Sequence, residues 1–205
     1  MNAAAARVRT GADRRKPLGS LAALCVAWLL AACQSVSLPA VARPDRPVDL
    51  ARFMGDWYVI AHIPTFIEKD AFNAVESYRL DADGTIATTF TFRAGGFDGE
   101  RKRYTPRGFV CDRESNAVWG MRFVWPIKAD FRIAYLAPDH SQTVIAREKR
   151  DYLWIMARTP QISEADLDRL LRFAVAQGYD TSKVRRVPQR WDLPPATPAA
   201  AREPS

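Results

Sequence analysis

The stretch AVESYRLDADGTIATTFTF, residues 74–92, decides the fold of this chain. Two runs rich in β-branched and aromatic residues flank Asp81-Ala82-Asp83-Gly84, where short polar side chains and a glycine suit a tight reversal. The segment therefore predicts a β-hairpin. Moving outward, six further runs repeat the pattern: Trp57 to His62 before it, then Tyr104 to Cys111, Val118 to Trp125, Phe131 to Leu136, Thr143 to Arg147 and Tyr152 to Ala157 after it. Turn residues separate them, as in Gly95-Gly96-Phe97-Asp98-Gly99 and Arg113-Glu114-Ser115-Asn116. Short strands at regular spacing predict an all-β meander, and eight of them close into an antiparallel up-and-down barrel. The interior of such a barrel is filled by side chains or holds one small ligand.

One helix follows. Ser163 and Asp166 form a start of the capping-box kind, and Leu167, Leu170, Leu171, Ala174 and Val175 recur at helical spacing. Gly178 is placed to stop it. The apolar stripe predicts a helix packed on the outside of the barrel, with no ligand role.

The N-terminus reads as an export signal. A basic stretch ends at Lys16, and an apolar run from Leu18 to Ala32 follows. That run is shorter than the roughly 20 apolar residues that cross a bilayer. It ends in Leu30-Ala31-Ala32-Cys33, which resembles the bacterial lipobox. The resemblance implies cleavage before Cys33 and acylation of that cysteine, so residues 1–32 are a signal peptide. Residues 33–47, with Pro39, Pro44 and Pro47, read as a flexible tether. Residues 48–191 form the folded domain, and the Pro/Ala-rich residues 192–205 a disordered tail.

The net charge of +7 sits largely in the leader. Arg7, Arg9, Arg14, Arg15 and Lys16 face Asp13 alone there, leaving 25 basic residues against 22 acidic ones in the rest. That balance argues against a nucleic-acid partner. Of the three cysteines, Cys25 goes with the leader and Cys33 is claimed by lipid, so Cys111 has no partner and reads as a buried small hydrophobe. No Cys/His cluster suggests a metal, and no motif calls for a cofactor.

Gly55-Asp56-Trp57-Tyr58 resembles the first motif of the lipocalins, and Arg150-Asp151-Tyr152-Leu153-Trp154-Ile155-Met156-Ala157-Arg158-Thr159-Pro160 resembles the last barrel strand of the bacterial members. Gln177-Gly178-Tyr179-Asp180-Thr181-Ser182-Lys183 also matches that group. The resemblance implies that Arg158 lies across Trp57 at the closed end, with Gly55 opening the first strand. The second family motif, Thr-Asp-Tyr, reads Pro138-Asp139-His140 here, which weakens any receptor role for that loop. Together with the lipobox, the resemblance implies an outer-membrane lipoprotein with the barrel on the periplasmic face.

Alternation along each strand, phased on Trp57 and on the resemblance, predicts the inward residues. They are Val59 and Ala61; Glu76 and Tyr78; Thr88, Phe90 and Phe92; Trp119, Met121 and Phe123; Ile133 and Tyr135; and Tyr152 and Trp154. Phe66, Ile67 and Phe72 form an apolar lid over the mouth. Each inward residue is also a candidate for plain core packing. Glu76 stands out among them: it meets a polar ligand group, or Arg103 or Arg107, or lies at a wet mouth, or the register is off by one.

The reading is a membrane-tethered carrier of a fatty acid, lysophospholipid or similar apolar ligand, bound without catalysis. Two alternatives stay open: a lipid-modifying enzyme, for which Cys111 is the available nucleophile, and a packed structural lipoprotein. A homodimer is compatible with all three.

Overall fold

A computed structural model of the protein describes residues 38–124 and 126–191. The leader, Cys33 and the tail beyond Trp191 lie outside the described residues.

The barrel strands are β1 (Gly55–Ile63), β2 (Ala71–Leu80), β3 (Thr85–Ala94), β4 (Arg101–Tyr104), β5 (Arg107–Val110), β6 (Val118–Val124), β7 (Ile127–Leu136), β8 (Gln142–Ala146) and β9 (Leu153–Ala157). Neighbours pair antiparallel in chain order, and β1 also pairs with β9, which closes the sheet. The run read as Tyr104 to Cys111 is one barrel strand in two pieces, both paired to β3. Pro106 separates them because it has no N–H for the ladder, although its carbonyl still accepts from Thr88 N–H at 3.1 Å. Eight staves therefore close the barrel, and a two-residue strand β10 (Arg185–Arg186) adds to β1 on the outside. The hairpin that opened the sequence reading forms as expected, with Tyr78 opposite Thr88 and Leu80 opposite Ile86; Gly84 in its turn has φ +78°.

One end of the barrel is closed. A single helical turn α1 (Leu50–Phe53), which the sequence pattern is too short to announce, is capped by Asp49, whose side chain accepts from Arg52 N–H. It drives Phe53 into the barrel, where its ring centroid lies 5.0 Å from that of Trp57, 5.6 Å from Tyr78 and 5.5 Å from Trp119. Trp119 stacks on Phe131 at 5.1 Å. This aromatic block fills the lower half of the barrel.

The helix α2 (Glu164–Ala176) starts where Ser163 accepts from Asp166 N–H and buries Leu167, Leu170 and Ala174 against the outer wall. Gly178, at φ +85°, ends it. Val175, assigned to the apolar stripe, is instead exposed. The stretch read as a tether is fastened from Pro39 onward. Val41 is buried beside the helix, its N–H donates to Glu148 Oε1 at 3.2 Å, and Ala42 N–H donates to Gln177 Oε1 at 2.8 Å.

Among the described residues the ladders shift register in four places, between Phe72 and Val75 and between Met121 and Val124 as well as in β1 and β7, and the shifts in β1 and β7 overturn an expected facing. Val59 pairs with Met156 but Ala61 with Ile155, so one extra residue enters β1 and the phase flips. Ala61 therefore lies on the outer wall under the helix, and His62 takes the inward position beside Trp154. In β7 the shift falls between Ile133 and Tyr135. Tyr135 is thereby turned outward, with its hydroxyl accepting from Arg169 of α2 at 2.8 Å. The expectation that Ala61 and Tyr135 line the interior is corrected on both strands by the same physics.

Candidate ligand-binding site

The floor is built from Trp57 and Arg158. The Arg158 guanidinium carbon sits 3.8 Å from the Trp57 ring centroid. Its nitrogens donate to the carbonyls of Asp56 at 2.8 Å, Arg52 at 2.8 Å and Phe53 at 3.0 Å. Trp57 Nε1 donates to Phe53 O at 2.9 Å. One arginine thus holds α1, the start of β1 and the end of β9 together. Gly55, at φ +93°, lets the chain pass under it: a Cβ there would lie 3.5 Å from Arg158 Nη1 in a backbone conformation that L residues rarely adopt. The departed second motif lies nearby. Asp139 accepts from Ser141 N–H at 3.0 Å, which braces the turn locally.

Above the aromatic block lies a cavity of about 100 Å³, lined by Glu76, Phe90, Met121, Phe123, Ala129, Phe131, Tyr152 and Trp154 with Thr65, Ile67, Glu68, Asp130 and Arg147. A second space of about 480 Å³ adjoins it at the mouth, lined by Phe66, Tyr104, Thr105 and Pro106 and sharing Thr65, Ile67, Phe123 and Tyr152. The inner compartment is smaller than a drug-sized pocket of roughly 300–1,000 Å³, whereas the outer one falls inside that range.

Of the side chains assigned inward, Glu76, Phe90, Met121, Phe123, Tyr152 and Trp154 meet at the inner cavity, and Phe66 reaches the outer one. Val59, Tyr78, Thr88, Phe92, Trp119 and Ile133 are buried in the barrel without lining either. Phe72 packs edge-on against Phe97, at 5.0 Å, rather than over the mouth.

The polar lining was largely hidden from sequence. Glu68 sits in the mouth loop, which reads as solvent-facing, yet it is only 2% exposed. Its Oε1 accepts from Thr65 N–H at 3.0 Å and from Trp154 Nε1 at 3.2 Å. His62 Nδ1 lies 3.7 Å from its Oε2. Burial pushes the Glu68 carboxyl up, but His62 and these N–H donors outweigh it and hold the group below its usual range. Asp130 is likewise satisfied, by Arg132 Nε at 3.0 Å and Glu148 N–H at 2.7 Å. Phe131 could have been found, because it shares the phase of Ile133 and faces Trp119 across the ladder.

Glu76 is different. It lines the cavity, and among the described residues its one hydrogen-bond partner is the Tyr78 hydroxyl, which donates to Oε2. Neither Arg103 nor Arg107 reaches it: Arg103 is exposed, and Arg107 binds Asp81 Oδ2 at 3.2 Å and Thr85 Oγ1 at 2.7 Å at the closed end. Burial raises the carboxyl to about 7, with the Tyr78 hydrogen bond opposing the shift and the nearby Glu68 charge adding to it. Arg147 brings a cation to the same cavity; its guanidinium carbon stands 5.2 Å from the Tyr152 ring centroid and its Nη1 3.4 Å from Asp151. Cys111 lies away from this site, exposed at the end of β5, rather than buried as its residue type suggested.

An eight-stranded calyx with a plugged floor and an open, mainly apolar mouth defines a class, and the comparisons agree. A family model described as a lipocalin-like domain matches residues 48–189. The chain belongs to the lipocalin family. It is 32% identical to temperature-induced lipocalin-1 of Arabidopsis thaliana over 162 residues, covering 75% of this chain and 85% of that one. It is 26% identical to the outer membrane lipoprotein Blc of Escherichia coli K12 over 166 residues, covering 80% and 92% respectively. In fold it is similar to lobster apocrustacyanin A1 (TM-score 0.56, 12% identity, 70% of this chain and 81% of that one). It is also similar to insecticyanin of the tobacco hornworm (TM-score 0.55, 13% identity, 71% and 83%).

Proposed function

We propose that this protein is an outer-membrane lipoprotein, anchored through acylated Cys33, that binds a fatty acid or lysophospholipid in the calyx and carries or stores it in the cell envelope. The observation that supports this most is the pair of adjoining compartments above a sealed floor. The outer one takes the bulk of an acyl chain between Phe66, Tyr104, Phe123 and Tyr152. The inner one is comparable in size to the engineered cavity of about 150 Å³ that holds a benzene ring. It takes the end of a chain against Phe90, Met121 and Phe131. Arg147, beside Tyr152, offers the ligand's anionic group a charged partner near the rim. The relatives named as outer membrane lipoproteins support the location.

The test is mass spectrometry of lipids that co-purify with the protein, followed by titration of the delipidated mature chain, Cys33→Ser, with palmitate and with a lysophospholipid. Trp154 lines the inner cavity and reports occupancy through its fluorescence. Saturable quenching supports the reading; its absence with every lipid class refutes it. Because Glu76 titrates near pH 7 in the cavity wall, binding of an alkyl chain end weakens as pH rises through that value. Glu76→Gln abolishes this dependence.

A further inference from the structure

We propose that the open end of the barrel rests on the bilayer, with Phe66, Phe123 and Ile127 entering the headgroup layer, so that the calyx opens onto lipid rather than onto the aqueous space. This rests on the reading that Cys33 carries the anchor. What it adds is an orientation, and that comes from where the chain joins the barrel. The β1–β2, β3–β4, β6–β7 and β8–β9 connections lie at the mouth, because β1 begins at the floor beside Arg158 and the strands alternate in direction. Pro39 is fastened at this same end: its carbonyl accepts from Arg150 Nη2, in the β8–β9 turn, and Val41 N–H reaches Glu148 of that turn. The chain then descends the outer wall, with Arg43 on Asp112 of the β5–β6 turn at 2.6 Å and Val48 N–H on Ser115 O at 2.8 Å, before α1 enters the floor.

Cys33 stands six residues before Pro39, and six extended residues reach about 20 Å at most. The ten residues of β2 rise about 33 Å along a strand tilted by roughly 40°, which puts floor and mouth about 25 Å apart. An anchor that starts at the mouth cannot pass the length of the wall to set the floor on the membrane. It sets the mouth there with chain to spare.

The rim is built for that contact. Phe66 in the β1–β2 loop is 82% exposed, Ile127 at the start of β7 is 71% exposed and Phe123 near the end of β6 is 56% exposed. By contrast, among the described residues the exposed large hydrophobic at the floor is Leu80, at 41%. Exposed Lys69, Arg101, Lys128 and Lys149 at the mouth face exposed Asp70, Asp98, Glu100 and Asp151, and Arg190 over Phe97 adds one more cation. The rim therefore gains its attraction chiefly from apolar insertion and the tether, with a small contribution from charge.

The test uses the lipidated mature protein, beginning at Cys33, in phosphatidylethanolamine/phosphatidylglycerol vesicles, in a Cys111→Ser background. One variant adds Ile127→Cys and another Leu80→Cys, each labelled with an environment-sensitive fluorophore. Both positions are exposed, so the fold is retained, which near-UV circular dichroism verifies. Intact mass first establishes the lipid on Cys33. Shallow nitroxide lipids quench the Ile127 label several-fold more than the Leu80 label if the mouth faces the bilayer. Equal or reversed quenching overturns the proposal, as does an intact mass without lipid. A blue-shifted Ile127 label before vesicles are added, with no lipid quenching after, assigns the rim to a second copy of this chain and also overturns it. Ligand titration of the soluble Cys33→Ser chain is independent of all these outcomes, so failure of the orientation and failure of lipid binding are told apart.

Discussion

Replacing Glu76 by Gln makes the protein more stable, by an amount that grows as pH rises from about 4.5 to about 7 and is largest above that. In the unfolded chain the carboxyl ionises at its ordinary value of 4.5, whereas in the barrel it holds its proton to about 7. Between these values the folded state binds more protons than the unfolded state, so stability falls as pH rises through this window and is lowest above pH 7. Each unit of difference corresponds to 1.36 kcal/mol. The wild type therefore carries a cost on the order of 3 kcal/mol above pH 7 that is absent below pH 4.5. The amide is nearly the same size, keeps an acceptor for the Tyr78 hydroxyl and never ionises. At about 2–4 °C per kcal/mol for a domain of this size, Glu76→Gln melts about 6–12 °C above wild type at pH 9 and about 2–3 °C above it at pH 5, where the cost has only begun to build. The assay is thermal unfolding of the delipidated mature Cys33→Ser chain, with and without the substitution, at pH 5, 7 and 9. Titrating groups remote from residue 76 cancel in the difference; Glu68, whose charge adds to the Glu76 shift, is the coupled exception. A gap of the same size at pH 5 and pH 9, or a less stable variant at pH 9, refutes the argument.

Arg158→Ala removes the cation over Trp57 and takes its side-chain donor from the carbonyls of Asp56 and Arg52, while Phe53 O keeps Trp57 Nε1; urea unfolding shows a loss of about 3 kcal/mol. Phe53→Ala empties the middle of the aromatic block, where Phe53 has no exposure, and costs about 3–5 kcal/mol in the same assay. Ala129→Phe fills the inner cavity it lines; palmitate affinity measured by fluorescence titration drops at least tenfold, while the melting temperature moves by only a few degrees.

Much of this is legible in the sequence. The Asp81–Gly84 reversal, the count of staves, the helix from its Ser163 cap to Gly178, and the Trp57–Arg158 pair all follow from local chemistry or from motif, and local chemistry survives folding. The interior was legible only up to the first irregularity. Alternation assumes an unbroken ladder, and an extra residue near Ile60 and another near Ala134 invert everything beyond them. Neither bulge carries a glycine, so nothing in the sequence marked them. His62 was missed for the same reason that Ala61 was misplaced. Glu68 was missed because loop residues are charged as a rule; its burial depends on Trp154, 86 residues away, swinging an N–H toward it. The floor turn at Leu50–Phe53 is one turn long, below the length at which periodicity registers.

The sealed floor has a consequence for how this protein varies over generations. Everything that holds the barrel shut (Phe53, Trp57, Trp119 and Arg158) lies at one end, and the side chains lining the two compartments lie toward the other. Sequence drift at the rim can therefore retune what the pocket accepts without eroding the clasp that keeps the chain folded. Selection for a new ligand and selection for durability therefore meet at few residues, Phe131 and Glu76 among them, and a lineage can explore the first while largely conserving the second.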